Sequence, residues 1–352
     1  MNIEINGRSI GRKQKVYIIA EMSANHNHNF EQAIELLKAA KHAGADAVKL
    51  QTYTPDTITI DCDNKYFRIG KGTIWEGKNL YELYKEAYTP WEWHPKLKET
   101  ADILGLDLFS TPFDLTAVDY LEEMEVPAYK VASCELIDIP LIRYIARTGK
   151  PIIMSTGMAT LAEIDEAITA AREEGCHEIA LLKCSSAYPA DPAEMNLCTI
   201  PHMSEAFNCP TGLSDHTLGI AVPVAAVALG ACIVEKHFTL SRSTPGPDSS
   251  FSLEPEEFKA MVQSIRTIEK ALGSVNYKIT EKESASHVFR RSLFIVEDMK
   301  AGEIFTEKNI RSIRPGNGLH PRYLNDIYGK TVNQDIKKGT PLSWDLIKNK
   351  SI

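Results

Sequence analysis

The sequence has few of the features that mark secreted, membrane-spanning or nucleic-acid-binding proteins. Its seven cysteines form no C-x-x-C pair, which predicts reduced, mostly structural thiols. No apolar run reaches the roughly 18 residues of a membrane span, and no apolar signal stretch stands at the start. Positive charge is also scarce, because 39 Lys and Arg stand against 47 Asp and Glu. We therefore expect a cytoplasmic protein with no membrane or nucleic-acid partner.

The charge is unevenly distributed along the chain. Residues 1–288 carry 27 Lys and Arg and 40 Asp and Glu, whereas residues 289–352 carry 12 and 7. The second segment consists of short apolar runs separated by turn signals, with too few residues for a large core. We predict an acidic domain over 1–280, a linker over 281–288 and a small basic domain of strands and turns over 289–352.

Eight strand-like runs recur in the acidic part, and helical patterns separate most of them. The clearest helices run from about Phe30 to Ala43, before Gly44, and from a capping box at Thr160. Eight such units without hairpin signals predict a (β/α)8 TIM barrel, with a turn-rich insertion from about Tyr53 to Thr89 over its mouth. The predicted strands are Val16–Glu21, Ala47–Gln51, Asp107–Thr111, Ala128–Ser133, Pro151–Thr156, Ile179–Cys184, Gly212–Ser214 and Ala231–Glu235.

Two histidines, His216 and His237, stand 21 residues apart at the ends of the last two runs. This spacing fits a strand, a crossover helix and the neighbouring parallel strand, so both side chains could share one metal ion. Two histidines leave coordination positions open for water and substrate, as a catalytic site requires. The alternative is a pair of hydrogen-bonded strand-end histidines without metal.

Polar side chains also mark the other strand ends, where a barrel places its active site. Four lysines among a ring of hydroxyls indicate a site for an anion, most simply phosphate or carboxylate. A single strand-end lysine would more often form an ion pair or a Schiff base. Glu21 and Glu135 are the carboxylates available to move protons, unless each is ion-paired to a lysine. The strand-end set is Glu21, Lys49, Ser110, Thr111, Lys130, Ser133, Ser155, Thr156, Lys183, Ser185, Ser186, Ser214, Asp215, His216, Lys236 and His237.

The whole chain resembles the sialic acid synthases, bacterial nonulosonate synthases that condense phosphoenolpyruvate with an N-acetylated sugar. The segments 53–59, 80–84, 89–94 and 318–321 resemble the pseudaminic branch of that family more narrowly. The motifs that carry the family resemblance are IAEMSANH (19–26), GADAVK (44–49), STPF (110–113), YKVAS (129–133), MSTGM (154–158), GLSDHT (212–217), EKHF (235–238) and RPGNG (314–318).

The resemblance implies a barrel followed by a small antifreeze-like (SAF) domain, in a domain-swapped homodimer whose small domains cap the partner's barrel. It implies that His216 and His237 hold a divalent metal, typically Mn²⁺, with Mg²⁺ or Co²⁺ as alternatives, and that Glu21 handles a proton or water. Phosphoenolpyruvate would contact Lys49, Lys130, Ser133, Ser155, Ser186 and Ser214. The sugar would contact Thr111, Glu135, Tyr188, Asp248 and, from the partner, Arg314.

One position departs from the N-acetylneuraminate branch, which has Asn where this chain has Ser186. Serine is shorter and lacks an amide, so the change favours a different sugar. The implied substrate is 2,4-diacetamido-2,4,6-trideoxy-L-altrose, with N-acetylmannosamine or a related sugar as the alternative. Two more distant readings are a pyruvate aldolase and a non-enzymatic scaffold with a glycan- or ice-binding tail.

Overall fold

The computed structural model describes residues 2–348 and divides into two compact units after Gly273. The expected linker, 281–288, consists of short helical segments. The strands are β1 Asn2–Ile5, β2 Arg8–Gly11, β3 Tyr17–Glu21, β4 Ala47–Thr52, β5 Asp107–Pro112, β6 Tyr129–Val131, β7 Ile152–Ser155, β8 Ile179–Cys184, β9 Thr211–Asp215, β10 Ile233–His237, β11 Ser292–Ile295 and β12 Ile310–Ile313.

Helices lie between most of the strands. The α-helices are α1 Phe30–Ala43, α2 Pro55–Ile58, α3 Leu80–Ala87, α4 His94–Leu104, α5 Leu115–Glu123, α6 Ile139–Ala146, α7 Leu161–Glu173, α8 Thr199–Phe207, α9 Ala221–Ala228, α10 Pro255–Leu272, α11 Glu281–Ser284 and α12 Leu324–Ile327. The 3-10 helices are Trp91–Trp93, Cys134–Ile137, Pro192–Glu194, Ser249–Phe251, Ala285–Phe289, Pro321–Tyr323 and Trp344–Leu346. No helix within 2–348 has the length and apolar character needed to cross a membrane.

Strands β3 to β10 are parallel and close into a barrel in the order β10-β3-β4-β5-β6-β7-β8-β9. This confirms the predicted (β/α)8 fold, and each of the eight predicted strands is present. Helix α1 begins and ends where the sequence predicts. The Asn29 side chain accepts a hydrogen bond from the backbone N–H of Gln32 at its start, and Gly44 ends it in the left-handed conformation. The predicted capping box at Thr160 likewise begins α7.

The expectation that the chain lacks hairpins is wrong at the amino terminus. Strands β1 and β2 pair antiparallel around Asn6-Gly7, where both residues have positive φ, as a two-residue hairpin turn requires. Ile3, Ile5 and Ile10 are buried together with residues at the amino-terminal ends of the barrel strands. The hairpin therefore covers the end of the barrel opposite the predicted active site. The signal was present in the sequence as Asn-Gly between alternating apolar residues.

The insertion after β4 is more regular than the predicted loop, because it contains α2 and α3. Asn79 caps α3 by accepting from the backbone N–H of Tyr81. An aromatic cluster ties the insertion to the barrel: the Tyr53 ring lies 5.6 Å from Tyr84 and 5.1 Å from Phe113, measured between ring centroids. The insertion is thus held against the strand ends rather than free in solvent.

The second unit has its own small core. Strands β11 and β12 form a two-stranded antiparallel sheet, and isolated bridges join the remaining segments. This matches the predicted module of short strands and turns. The buried core consists of Leu293, Ile295, Met299, Phe305, Ile310, Ile327, Val332, Ile336, Leu342 and Ile347.

Candidate active site

Strand register brings opposite charges together at the carboxyl end of the barrel. Glu21 is paired in register with Lys49 on one side and with His237 on the other. The Lys49 ammonium lies 2.7 Å from Glu21 Oε2 and donates to Thr111 Oγ1 at 3.2 Å. All four side chains are buried, so their interactions are strong and poorly screened by salt.

A second carboxylate, Glu235, lies deeper between the two inward lysines. Its Oε1 is 3.7 Å from Lys49 Nζ and 4.0 Å from Lys130 Nζ, and it accepts from Ser214 Oγ at 3.2 Å. Sequence reasoning did not select Glu235 as a site residue, although strand alternation could have found it. Side chains two apart on a strand face the same side, so an inward His237 requires an inward Glu235.

The two carboxylates differ in their protonation behaviour. Burial raises the pKa of Glu21 to about 7, despite the opposing effect of Lys49. Burial also acts to raise the pKa of Glu235, but Lys130 and Lys49 together bring it below its usual value. Glu235 is therefore ionised at neutral pH, whereas Glu21 can exchange a proton there.

Serine hydroxyls converge on Gly157 beside Lys130. The Gly157 backbone N–H donates to Ser133 Oγ at 3.0 Å, and Lys130 Nζ donates to Ser155 Oγ at 2.7 Å. A Cβ at Gly157 would lie 2.3 Å from Ser186 Oγ and 2.7 Å from Ser133 Oγ, so only glycine leaves room for both hydroxyls. The result is a cradle of donors that suits an anion.

The two predicted metal ligands are adjacent. The ring centroids of His216 and His237 are 5.2 Å apart. Nδ1 of His216 lies 2.8 Å from the carbonyl oxygen of Ser185, a contact that requires the proton on Nδ1 and leaves Nε2 free to bind a ligand. Burial lowers the pKa of His237 well below its usual value, which keeps the ring neutral as metal binding needs.

The residues around the histidines fit a two-histidine metal site. Within 2–348 no group of three His, Cys, Asp or Glu side chains is arranged to hold a metal, so a metal here would take its remaining ligands from water or substrate. Nδ1 of His237 is buried, and no residue within 2–348 forms a hydrogen bond with it. The unpartnered Nδ1 of His237 and the Nε2 of His216 thus leave each ring with a nitrogen available to a ligand.

Aromatic rings and a carboxylate form the wall above the histidines. The Tyr188 ring centroid lies 4.3 Å from that of His216 and 5.3 Å from that of Phe251. Asp248 is buried and accepts a hydrogen bond from Ser23 Oγ. Gln51 bridges this wall to the ionised centre, since its amide donates to both Glu21 and Ser23 at 3.0 Å. Of these contributors, sequence reasoning missed Ser23, Gln51 and Phe251.

Glu135 lies on the 3-10 helix after β6. Burial raises the pKa of this side chain to about 7, and Lys130 and Lys49 oppose the shift. Its Oε2 is buried without a hydrogen-bond partner within 2–348. Glu135 therefore has a buried carboxylate oxygen that is available to a polar group of a ligand.

The expectation of four converging lysines is wrong for two of them. Lys236 alternates with Glu235 and His237 and forms a fully buried ion pair with Asp215 at 2.5 Å. Lys183 donates to the backbone carbonyl of Cys184 and pairs in register with Leu213, which belongs to the apolar layer packed on helices. The anion site therefore has two lysines, Lys49 and Lys130.

Unsatisfied polar atoms concentrate in this mouth. Eight buried side-chain atoms within 2–348 lack a hydrogen bond, and five belong to the site. One of the five, Glu21 Oε2, is ion-paired to Lys49 at 2.7 Å, so we count it as satisfied. The remaining four belong to Glu135, Ser186, Glu235 and His237. Such atoms are rare in native proteins, so their concentration here makes this end of the barrel the candidate ligand site.

Two family models match the chain. Residues 36–277 match the NeuB family, and residues 290–348 match the SAF domain. This chain belongs to the NeuB family. The resemblance to the sialic acid synthases and the predicted fold, a TIM barrel followed by a SAF domain, are thereby confirmed.

NeuB-family enzymes are phosphoenolpyruvate-dependent transferases of the sialic acid synthase type, and they are metal-dependent in general. The chain is 47% identical to a pseudaminic acid synthase of Campylobacter jejuni over 94% of this chain and 96% of the relative. It is 46% identical to that of Helicobacter pylori over 94% and 97%. An N-acetylneuraminic acid synthetase structure from Leptospira borgpetersenii superposes with TM-score 0.73 and 31% identity, covering 81% and 95% of the two chains.

The SAF domain of this NeuB-family chain presents the predicted arginine on a tight turn. Arg314 is exposed, and its guanidinium lies 5.9 Å from the ring centroid of Phe289. The turn is fixed by close packing, because a Cβ at Gly318 would lie 2.2 Å from the carbonyl oxygen of Leu293. Phe289 is 62% exposed and was not identified from the sequence. Together the two side chains form an exposed cation–π pair.

Proposed function

We propose that this NeuB-family enzyme condenses phosphoenolpyruvate with 2,4-diacetamido-2,4,6-trideoxy-L-altrose and water to give pseudaminate and phosphate. The observation that carries the proposal is one barrel mouth holding a two-lysine anion cradle beside an unpartnered histidine pair. Relatives at 46–47% identity are pseudaminic acid synthases, which supports this sugar over N-acetylmannosamine or a legionaminate precursor. A cytoplasmic location is part of the proposal, in keeping with seven free cysteines.

Phosphoenolpyruvate lies, on this proposal, in the cradle between Lys49 and Lys130. Both ammonium groups are buried and already within reach of hydroxyls, so they are positioned before the anion arrives. Ser133, Ser155, Ser186 and Ser214 add hydroxyl donors around it. The unpartnered Ser186 hydroxyl supports a direct contact, despite its shorter reach than asparagine. Preorganised donors of this kind favour binding and stabilise developing charge.

A divalent metal, which we propose is Mn²⁺, would be held by His216 and His237. When bound, such an ion acts as a Lewis acid toward an aldehyde oxygen. The protein's own part is to orient both imidazoles and to keep His237 neutral: burial lowers the pKa of His237, and the Ser185 carbonyl fixes the orientation of His216.

The reaction forms one carbon–carbon bond and replaces the carbon–oxygen bond from C2 to phosphate by one from C2 to the oxygen of water. C3 of phosphoenolpyruvate attacks C1 of the open-chain sugar, and the aldehyde oxygen takes up a proton to become a hydroxyl. Water adds at C2, and the C2–O bond to phosphate then breaks to leave the keto acid. Glu21 accepts the water proton on this proposal, and its pKa of about 7 lets it act as a base at neutral pH.

The sugar lies above the histidines in this arrangement. Thr111, Glu135, Tyr188 and Asp248 line its site, with Asp248 and Glu135 able to accept from amide or hydroxyl groups. Because Ser23 holds Asp248 by a hydrogen bond, the carboxylate is oriented before the sugar binds.

The proposal includes a domain-swapped homodimer in which Arg314 of each SAF domain serves the partner's barrel. The barrel carries exposed apolar side chains after β5, β6, β7 and β9, which a docked domain would remove from water. They are Leu115, Ile137, Met158, Leu161 and Leu218. The net negative barrel segment and the net positive SAF segment favour such docking.

The function is tested by offering phosphoenolpyruvate with a panel of sugars and measuring phosphate release. We expect the highest kcat/KM with the 2,4-diacetamido-6-deoxy altrose, and no phosphate release without sugar. If N-acetylmannosamine or a legionaminate precursor is preferred, the substrate assignment is wrong while the reaction class stands.

The alternative that the protein is a pyruvate aldolase can be tested separately. Burial lowers the pKa of Lys130, a property shared with Schiff-base lysines. The short contact from Lys130 to Ser155 favours anion binding instead. Borohydride reduction with pyruvate should therefore leave the protein mass unchanged; a covalent adduct would favour the aldolase.

A further inference from the structure

Trp75 extends the aromatic wall outward from the histidine pair. It lies in the insertion between α2 and α3, and its ring centroid is 5.4 Å from that of Tyr188. Tyr188 in turn contacts His216. The indole is therefore one aromatic ring farther than Tyr188 from the histidine pair, where the proposed function puts the sugar aldehyde.

The polar atom of this indole is already engaged. Trp75 Nε1 donates to the carbonyl oxygen of Pro247 at 3.1 Å, so the ring offers its carbon face and edge to neighbouring groups. Pro247 directly precedes Asp248, the sugar-site carboxylate. The hydrogen bond thus ties the insertion to the loop that carries Asp248.

A cavity of about 310 Å³ opens on this part of the wall. Ile74, Trp75, Pro245 and Pro247 contribute apolar surface, and the Lys78–Glu86 ion pair lies at its edge, with its charged atoms 2.5 Å apart. The lining is thus mixed, with the carbon surface of the indole and the prolines beside polar groups, and the mechanism above assigns the space no role.

We propose that Trp75 is a specificity-determining residue that contacts the C4–C6 end of the sugar and selects acylated 6-deoxy aminosugars. This inference rests on the proposed function, which puts C1 at the histidines. A 6-methyl and an acetamido methyl pack well on an indole face. The C4 and C6 hydroxyls of N-acetylmannosamine would lose water against the indole face without gaining a hydrogen bond from it, which costs binding energy.

The test compares Trp75→Ala and Trp75→Phe with the wild type on two sugars, the diacetamido-6-deoxy altrose and N-acetylmannosamine. We expect Trp75→Ala to lower kcat/KM for the first sugar by about tenfold or more, as loss of an apolar contact does, with a smaller change for the second. Trp75→Phe keeps an aromatic wall and should largely keep the selectivity ratio. KM for phosphoenolpyruvate should not change.

Trp93→Phe is the matched control, because Trp93 packs on His26 and Phe30 instead; its ratio should equal the wild type's. Saturating diacetamido sugar should also change tryptophan fluorescence in the wild type and in Trp93→Phe but not in Trp75→Phe. If Trp75→Ala lowers kcat/KM for both sugars equally, Trp75 only supports the fold and the inference is wrong. A wild type that prefers N-acetylmannosamine would instead overturn the substrate assignment, so the two failures are distinguishable.

Discussion

Mixing two inactive variants, Arg314→Ala and His237→Ala, is expected to restore activity. The first lacks the guanidinium that the SAF domain presents, and the second lacks one of two histidines facing each other in the barrel. Each alone should lose about a hundred- to a thousandfold in activity, in the range seen when one group that stabilises the transition state is removed. His237→Ala should also lose bound divalent metal, measured by elemental analysis after dialysis.

The restored level follows from the symmetry of a swapped dimer. A heterodimer contains one barrel with both histidines that receives an intact arginine, and one site with both defects. After complete random exchange of equal amounts, roughly a quarter of all sites are complete, so about a quarter of wild-type activity should return. Native mass spectrometry of tagged subunits measures the exchange.

A matched pair controls for nonspecific rescue. Mixing His237→Ala with Glu21→Gln places both defects in the barrel, so no heterodimer contains an intact barrel and activity should stay absent. If heterodimers of Arg314→Ala and His237→Ala form in the expected proportion and remain inactive, Arg314 acts within its own chain or not at all.

Replacing Glu21 by glutamine should lower kcat by about 10²- to 10⁴-fold, the usual contribution of a general acid or base. Glutamine keeps the shape and the contact to Gln51 but cannot accept a proton. The same change should alter the pH dependence. Glu21 has a pKa raised to about 7 by burial, and a base must be deprotonated, so wild-type kcat/KM should fall about tenfold per pH unit below that value.

Glu135 is the control for this pH effect, because burial raises its pKa to about 7 as well. Glu135→Gln should raise KM for the sugar, but its kcat/KM should still fall at acidic pH as the wild type's does. The ionisation of phosphoenolpyruvate affects all variants alike and cancels in the comparison. If kcat/KM no longer falls at acidic pH in Glu135→Gln but still falls in Glu21→Gln, then Glu135 is the base and Glu21 is not.

Much of the fold was predictable because each unit of the barrel carries its own local signals. Alternating strand and helix patterns, the stop at Gly44 and the capping box at Thr160 all act within a few residues of chain. The amino-terminal hairpin was missed although Asn6-Gly7 is a strong local signal, since the later units dominated the pattern. The regular helices in the insertion were missed because turn residues surround them.

The sequence predicts which residues lie at the strand ends, but it does not show directly which of their side chains point into the barrel. Lys236 and Lys183 end strands as Lys49 does, yet alternation turns them away from the barrel axis, where Lys236 meets Asp215. Glu235 was overlooked for the same reason. Contacts such as Trp75 on Tyr188 join residues more than a hundred positions apart, and no periodicity in the sequence indicates them.

The central claim is that a phosphoenolpyruvate anion held by Lys49 and Lys130 loses phosphate by cleavage of its C2–O bond as the sugar is added. Phosphoenolpyruvate labelled with ¹⁸O at the bridging oxygen tests this claim most directly. Mass spectrometry of the products should find the label in inorganic phosphate, with none in the keto acid, and only when sugar is present. Label retained in the organic product, or phosphate released without sugar, would contradict the account.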